Sequence, residues 1–179
     1  MELTDEEIIK KIKTGETKLF SVIVERYEQK MRRYALKFLH KSPDDVDDLV
    51  QDVFVKTYTN IHSFDDTKKF SSWLYRIAHN AFLNHIRSAK REMFRMHFDT
   101  ALPFLYSTDN PETSFELKKL STDLDASLEH LDQKYREIIV LRFYEGLSYE
   151  EIADVLRVPT STVGVRLSRA LKQIKKFVI

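Results

Sequence analysis

From Thr160 to the C-terminus every charged side chain is a cation: Arg166, Arg169, Lys172, Lys175 and Lys176, with no Asp or Glu among them. Three hydroxyl residues, Thr160, Ser161 and Thr162, stand just before. Cations on one helix face suit the phosphates of nucleic acid, which set orientation, while hydroxyls and a guanidinium in the first turns suit base edges. On that chemistry Thr160, Ser161, Thr162 and Arg166 read bases, and Arg169 and Lys172 mainly hold the backbone. A charge run taken alone also fits a solvated helix face.

Two further constellations invite a binding role. Asp47, Asp48, Gln51 and Asp52 crowd acceptors into one stretch, with Leu49, Val53 and Phe54 supplying apolar contact. That mixture suits docking on a basic, partly apolar helical surface; carboxylates solvated near a helix N-terminus are the alternative. Farther along, Trp73, Tyr75, Arg76, Asn80, Asn84 and Arg87 interleave aromatic, amide and guanidinium groups. Such groups hold separated nucleic-acid strands by stacking and phosphate contact. Core burial is the reading given to Trp73, and Asn80 is assigned to DNA.

Enzyme chemistry finds no such constellation. His40, His62, His79, His85, His97 and His130 are scattered, and no H-E-x-x-H pair, glycine-rich phosphate loop or nucleophile elbow is present. With 0 Cys, thiolate zinc sites and a cysteine nucleophile are excluded. No metal or cofactor is expected.

These groups must be positioned by helices. Gly is scarce at 3 and Pro at 4, and 32% of the 179 residues are charged, a composition for an all-α protein of two small domains. The net charge of +1 does not itself favour nucleic acid, so that case rests on local asymmetry. The absence of cysteine fits a reducing cytoplasm. An acidic start, Met1 to Glu7, lacks the basic and apolar regions of a secretory signal, and no apolar run reaches the roughly 18 residues of a membrane span.

Thr4 and Glu7 form a capping-box pattern before a short helix to Lys13. Phe20, Ile23, Tyr27, Met31, Tyr34 and Phe38 mark one stripe of a long helix. Ser42-Pro43-Asp44-Asp45 opens the next helix, with Val46, Val50, Val53 and Phe54 inward. Residues 61–69 break the pattern, and a helix resumes near Phe70 and runs to the basic stretch at Arg87, Lys90, Arg91 and Arg95. Residues 98–114 lose periodicity and read as a flexible linker, although Leu102, Phe104, Leu105 and Tyr106 leave room for docking on a module or partner.

The second module shows Leu117, Leu120, Leu124, Leu128 and Leu131, then Tyr135, Ile138, Ile139 and Phe143, and stops at Gly146. Ser148 and Glu151 form another capping box before Ile152, Ala153 and Leu156. Thr160, Ser161 or Thr162 is expected to cap a last helix with Val163, Leu167, Ala170 and Ile174 inward. A short helix, a turn with Pro159 and a basic second helix is the plan of a helix-turn-helix, whose second helix enters the major groove.

Gly146-Leu147-Ser148-Tyr149-Glu150-Glu151-Ile152-Ala153, followed by Thr162-Val163 and Arg166-Leu167-Ser168-Arg169-Ala170, resembles the promoter-binding region of extracytoplasmic-function (ECF) sigma factors. Asp47-Asp48-Leu49-Val50-Gln51-Asp52-Val53-Phe54 is similar to that family's polymerase-clamp helix, and Phe70-Ser71-Ser72-Trp73-Leu74-Tyr75-Arg76-Ile77-Ala78-His79-Asn80 to its helix facing the −10 promoter element. The resemblance covers nearly the whole chain except the linker. It implies a first domain over 1–97, a linker over 98–114 and a second domain over 115–179 that binds the −35 element.

It further implies polymerase contacts through Asp47, Asp48, Leu49, Gln51, Asp52 and Phe54. Promoter melting falls to Asn60, His62, Ser63, Phe64 and Asp65, with Arg76, Asn80, Asn84 and Arg87 on the helix beyond. Capture of flipped bases in that loop would offset part of the cost of unstacking; for Phe64 the core is the competing place. The implied partners are core RNA polymerase, at its β′ clamp and β flap, promoter DNA and an anti-sigma factor, with no membrane insertion. Gly164 stands where the family often has a basic residue, so the upstream sequence preference stays open. A stand-alone helix-turn-helix regulator, dimeric on duplex operator, shares the C-terminal half of this reading but needs a sensor or dimer face in the first module.

Overall fold

The computed structural model describes residues 3–39, 43–96, 127–128 and 130–176, and all regular elements among them are helical. In the first module α1 (Asp5–Lys13) begins with the expected capping box: Glu7 N–H donates to Thr4 Oγ1 at 3.2 Å and Thr4 N–H to Glu7 Oε2 at 2.8 Å. Helices α2 (Phe20–Leu39), α3 (Pro43–Thr59) and α4 (Phe70–Met96) follow. Their apolar stripes meet in one core, with Ile8, Ile9 and Ile12 of α1 closing one side.

At the centre of that core the Tyr34 ring lies 5.7 Å from Phe38, 5.6 Å from Tyr75 and 5.3 Å from Phe82, within range for aromatic pairs. Burying each such side chain contributes roughly 1.5 to 3 kcal/mol, and Val46, Val50 and Val53 of α3 join the same core. The break at 61–69 is present; it holds a 3₁₀ turn, Ile61–Ser63, that buries Ile61.

In the second module α5 (Gln133–Ile139) runs into a π turn over Val140–Tyr144, closed by Glu145 N–H donating five residues back to Val140 O at 3.1 Å. Gly146, at φ 70°, ends it. Helix α6 (Tyr149–Leu156) carries the Ser148–Glu151 capping box, and α7 (Thr160–Ile174) buries the expected Val163, Leu167, Ala170 and Ile174.

The apolar run from Leu128 breaks at 130–132, and Asp132 stands at the N-cap of α5. Three expectations are corrected, at Phe143, on α6 and at the cap of α7. Phe143 is 56% exposed, because the wider π turn shifts the helical phase and turns Val140 and Leu141 inward instead. Val155 is buried on α6 beside Ile152, while Ala153 and Leu156 are only partly buried. The N-cap of α7 is Pro159, with no side-chain cap, so Thr160 is already helical. The linker at 98–114 and the leucines at 117, 120 and 124 lie outside the described residues.

Candidate nucleic-acid and polymerase interfaces

Because its apolar stripe faces α5 and α6, α7 turns its basic side outward. Thr160, Ser161, Arg169 and Lys172 are exposed, and Thr162 and Arg166 half-buried. Among the described residues, Arg166, Arg169, Lys172, Lys175 and Lys176 form no ion pair. At Gly164 an added Cβ would meet the Tyr149 ring at 3.7 Å, an ordinary contact, so packing does not demand glycine there.

On α3, Asp48 and Gln51 face solvent, Asp47 pairs with Arg32 at 3.1 Å, and Asp52 pairs with Lys56 one turn on. Leu49 is half-buried. Phe54 is corrected: at 7% exposure it packs edge-on against Phe20, with centroids 6.5 Å apart, and belongs to the core. The apolar groups that α3 offers to a partner are Val55, 60% exposed, and Tyr58, 42% exposed, neither singled out by sequence.

In the loop, Asn60 Nδ2 donates to Lys56 O at 2.8 Å and Ser63 Oγ to Asn60 O at 2.7 Å. Asp65 accepts from Thr67 Oγ1 at 2.7 Å and Thr67 N–H at 3.0 Å, bonds that hold its carboxyl below the usual range. His62 is exposed. Phe64 is also corrected: 3% exposed, it lies 5.7 Å from the Phe70 ring and 5.3 Å from Trp73, so its ring is core and cannot receive a base. Trp73 is partly buried in the same cluster. Lys13 Nζ bonds Phe64 O at 2.6 Å and Asp66 Oδ1 at 2.7 Å, tying the loop to α1.

Asn80, Asn84 and Arg87 are exposed along α4. Arg76 is not: its guanidinium donates to Asp154 O at 3.1 Å and pairs with the Asp154 carboxylate, on α6 of the second module. The two modules pack along this seam. Glu137 accepts from Tyr34 Oη at 2.6 Å and lies 2.5 Å from His79 Nδ1; Glu145 accepts from Tyr75 Oη at 2.6 Å and from Arg33; Lys69 bonds Glu151 at 2.9 Å. Burial first, then the neighbouring carboxylates, pushes the Tyr34 and Tyr75 phenols well up, so both remain neutral donors. The only trace of Glu137 in the sequence is a carboxylate beside Ile138 and Ile139 in an apolar run.

An outward basic helix behind a short capped helix, joined to a four-helix module with an acidic face, defines a two-part promoter-binding factor. The Sigma-70 region 2 profile matches residues 23–92 and the Sigma-70, region 4 profile residues 121–174. The ECF RNA polymerase sigma factor SigW of Bacillus subtilis is 32% identical over 186 residues, covering 98% of this chain and 97% of its own. The structure of CnrH in complex with the cytosolic domain of CnrY superposes with a TM-score of 0.71 at 26% identity, over 97% of this chain and 96% of that one. RpoE of Bartonella quintana, solved with the anti-sigma factor NepR, gives a TM-score of 0.72 over 89% of this chain and 96% of that one; at 24% identity it speaks for the fold alone. The chain belongs to the ECF family of RNA polymerase sigma factors, which are transcription initiation factors and not enzymes. No helix among the described residues is long and apolar enough to cross a membrane.

Proposed function

We propose that this sigma factor divides promoter recognition between a first domain over 1–97 and a second over 115–179, with 98–114 as the link. Thr160, Ser161, Thr162 and Arg166 read the −35 element, and Arg169 and Lys172 hold its backbone. Asn60, His62, Ser63 and Asp65 of the loop, with Arg76, Asn80, Asn84 and Arg87 of α4, act at the −10 element. Asp47, Asp48, Leu49, Gln51 and Asp52 dock on the polymerase clamp, with Val55 in the apolar role first given to Phe54. The protein acts in the cytoplasm, and an anti-sigma factor is its inhibitory partner.

The observation that carries this reading is the contrast between two cationic sets: those of α7 form no ion pair among the described residues, whereas Arg76 is engaged by Asp154. In the packed arrangement the −35 face is open and one −10 residue is covered. The isolated chain therefore gains promoter specificity only when polymerase separates the modules.

Run-off transcription with purified chain and core polymerase tests this. Arg166→Ala is expected to impair upstream-element recognition and Asp48→Ala to weaken polymerase association. Specific, tight operator binding without polymerase would overturn it.

A further inference from the structure

Arg157 is the one non-glycine residue at positive φ among the described residues, with φ 52° and ψ 49°. It closes α6: its N–H donates to Ala153 O, and Val158 N–H donates to the same oxygen at 3.1 Å. In this left-handed conformation the Cβ of an L-residue crowds its own carbonyl, so glycine is the usual occupant. This chain follows that rule elsewhere, at Gly15 and Gly146.

Neither packing nor pairing accounts for an arginine here. Arg157 is exposed, and its guanidinium has no hydrogen bond, ion pair or ring contact among the described residues. A cation near a helix C-terminus suits the helix dipole. That accounts for a charge in the last turn, but not for placing it at the one position where a side chain is strained. Strain maintained without local return is the mark of a functional position. Its location supplies the function, because Arg157 stands in the turn three residues before Thr160, where α7 begins.

We infer that Arg157 is a further DNA-binding residue, whose guanidinium takes a backbone phosphate beside the groove that α7 enters. This rests on the reading of α7 as the recognition helix. A phosphate contact from a turn is independent of base sequence, sets the depth and angle of the helix that follows, and adds to affinity by counterion release.

The test uses the full chain and a fluorescein-labelled duplex of arbitrary sequence, about 20 base pairs long, titrated by anisotropy across a salt series. Arg157→Gly relieves the strain and is expected to raise Tm by a few degrees. The same variant should weaken binding by about three- to tenfold and make the log-affinity against log-salt slope shallower by about one. Arg157→Asn, which also tolerates the left-handed region, should show the same binding loss, and Arg157→Lys should keep most of the affinity. If Arg157→Gly and Arg157→Asn bind as wild type while Arg166→Ala and Arg169→Ala weaken, the inference falls and the recognition-helix reading stands. If none of these variants changes binding, both fall.

Discussion

Arg33 and Glu145, 112 positions apart in the chain, meet as a two-pronged pair: Nε and Nη2 of the guanidinium each lie 2.8 Å from a different oxygen of a carboxylate whose side chain is wholly enclosed. Tyr75 Oη completes the site at 2.6 Å. Bidentate geometry of this kind is among the stronger charge-assisted arrangements. Arg33 keeps 42% of its side-chain surface in solvent, so screening discounts its worth.

Glu145→Ala should therefore cost about 1 to 3 kcal/mol and loosen the seam between the modules. Small-angle scattering is expected to show a larger radius of gyration than wild type, and urea unfolding a lower midpoint. An unchanged radius and midpoint would mean that the pair does not hold the modules together.

The Glu151 carboxyl gives the seam a pH dependence. Burial pushes its pKa up, but the N–H and hydroxyl of Ser148 and the Lys69 ammonium outweigh this and hold it below its ordinary 4.5. A carboxyl with a depressed folded pKa contributes stability above its unfolded value, and that contribution is lost as pH falls through the folded one. The difference in urea midpoint between wild type and Glu151→Gln should be full near neutrality and shrink steadily below 4.5. A pH-independent difference would contradict this.

On α3, neighbouring residues separate stability from association. Phe54→Ala should destabilise the first module by about 3 to 5 kcal/mol, since it opens a cavity against Phe20. Val55→Asp should change stability by no more than about 0.5 kcal/mol yet weaken co-purification with core polymerase. Equal effects of the two on both readouts would count against this division.

Gly164 is a place where stability can be added. Alanine there meets only the Tyr149 ring at 3.7 Å, and replacing a mid-helix glycine gains up to about 1 kcal/mol. Calorimetry of Gly164→Ala should show a higher Tm with the helical content kept; a fall in Tm would indicate that the Tyr149 ring cannot accept the methyl.

Much of the architecture was legible because it rests on local chemistry. Thr4 with Glu7 and Ser148 with Glu151 declare helix starts through short-range hydrogen bonds, and the stripe from Ile23 to Phe38 has a single period. The α7 face was legible for the same reason, its inward residues being all apolar and its charges all of one sign. What failed was residue-by-residue burial near irregular backbone or tertiary contact. Phe54 and Phe64 sit beside polar groups that suggested exposure, and only packing against Phe20, Phe70 and Trp73 decides otherwise. Glu137, Glu145 and Asp154 look like ordinary surface carboxylates until a second module is brought against them.

The π turn at Val140–Tyr144 has a consequence for how this chain tolerates insertion and deletion. Removing one residue from that stretch would restore regular α geometry and leave every local propensity intact. Because the wider turn takes up one residue more over nearly the same rotation, the residues that follow, Glu145 among them, would keep their phase about the helix axis. A homologue shortened by a single codon here would keep both folded halves and the approach of Glu145 to Arg33.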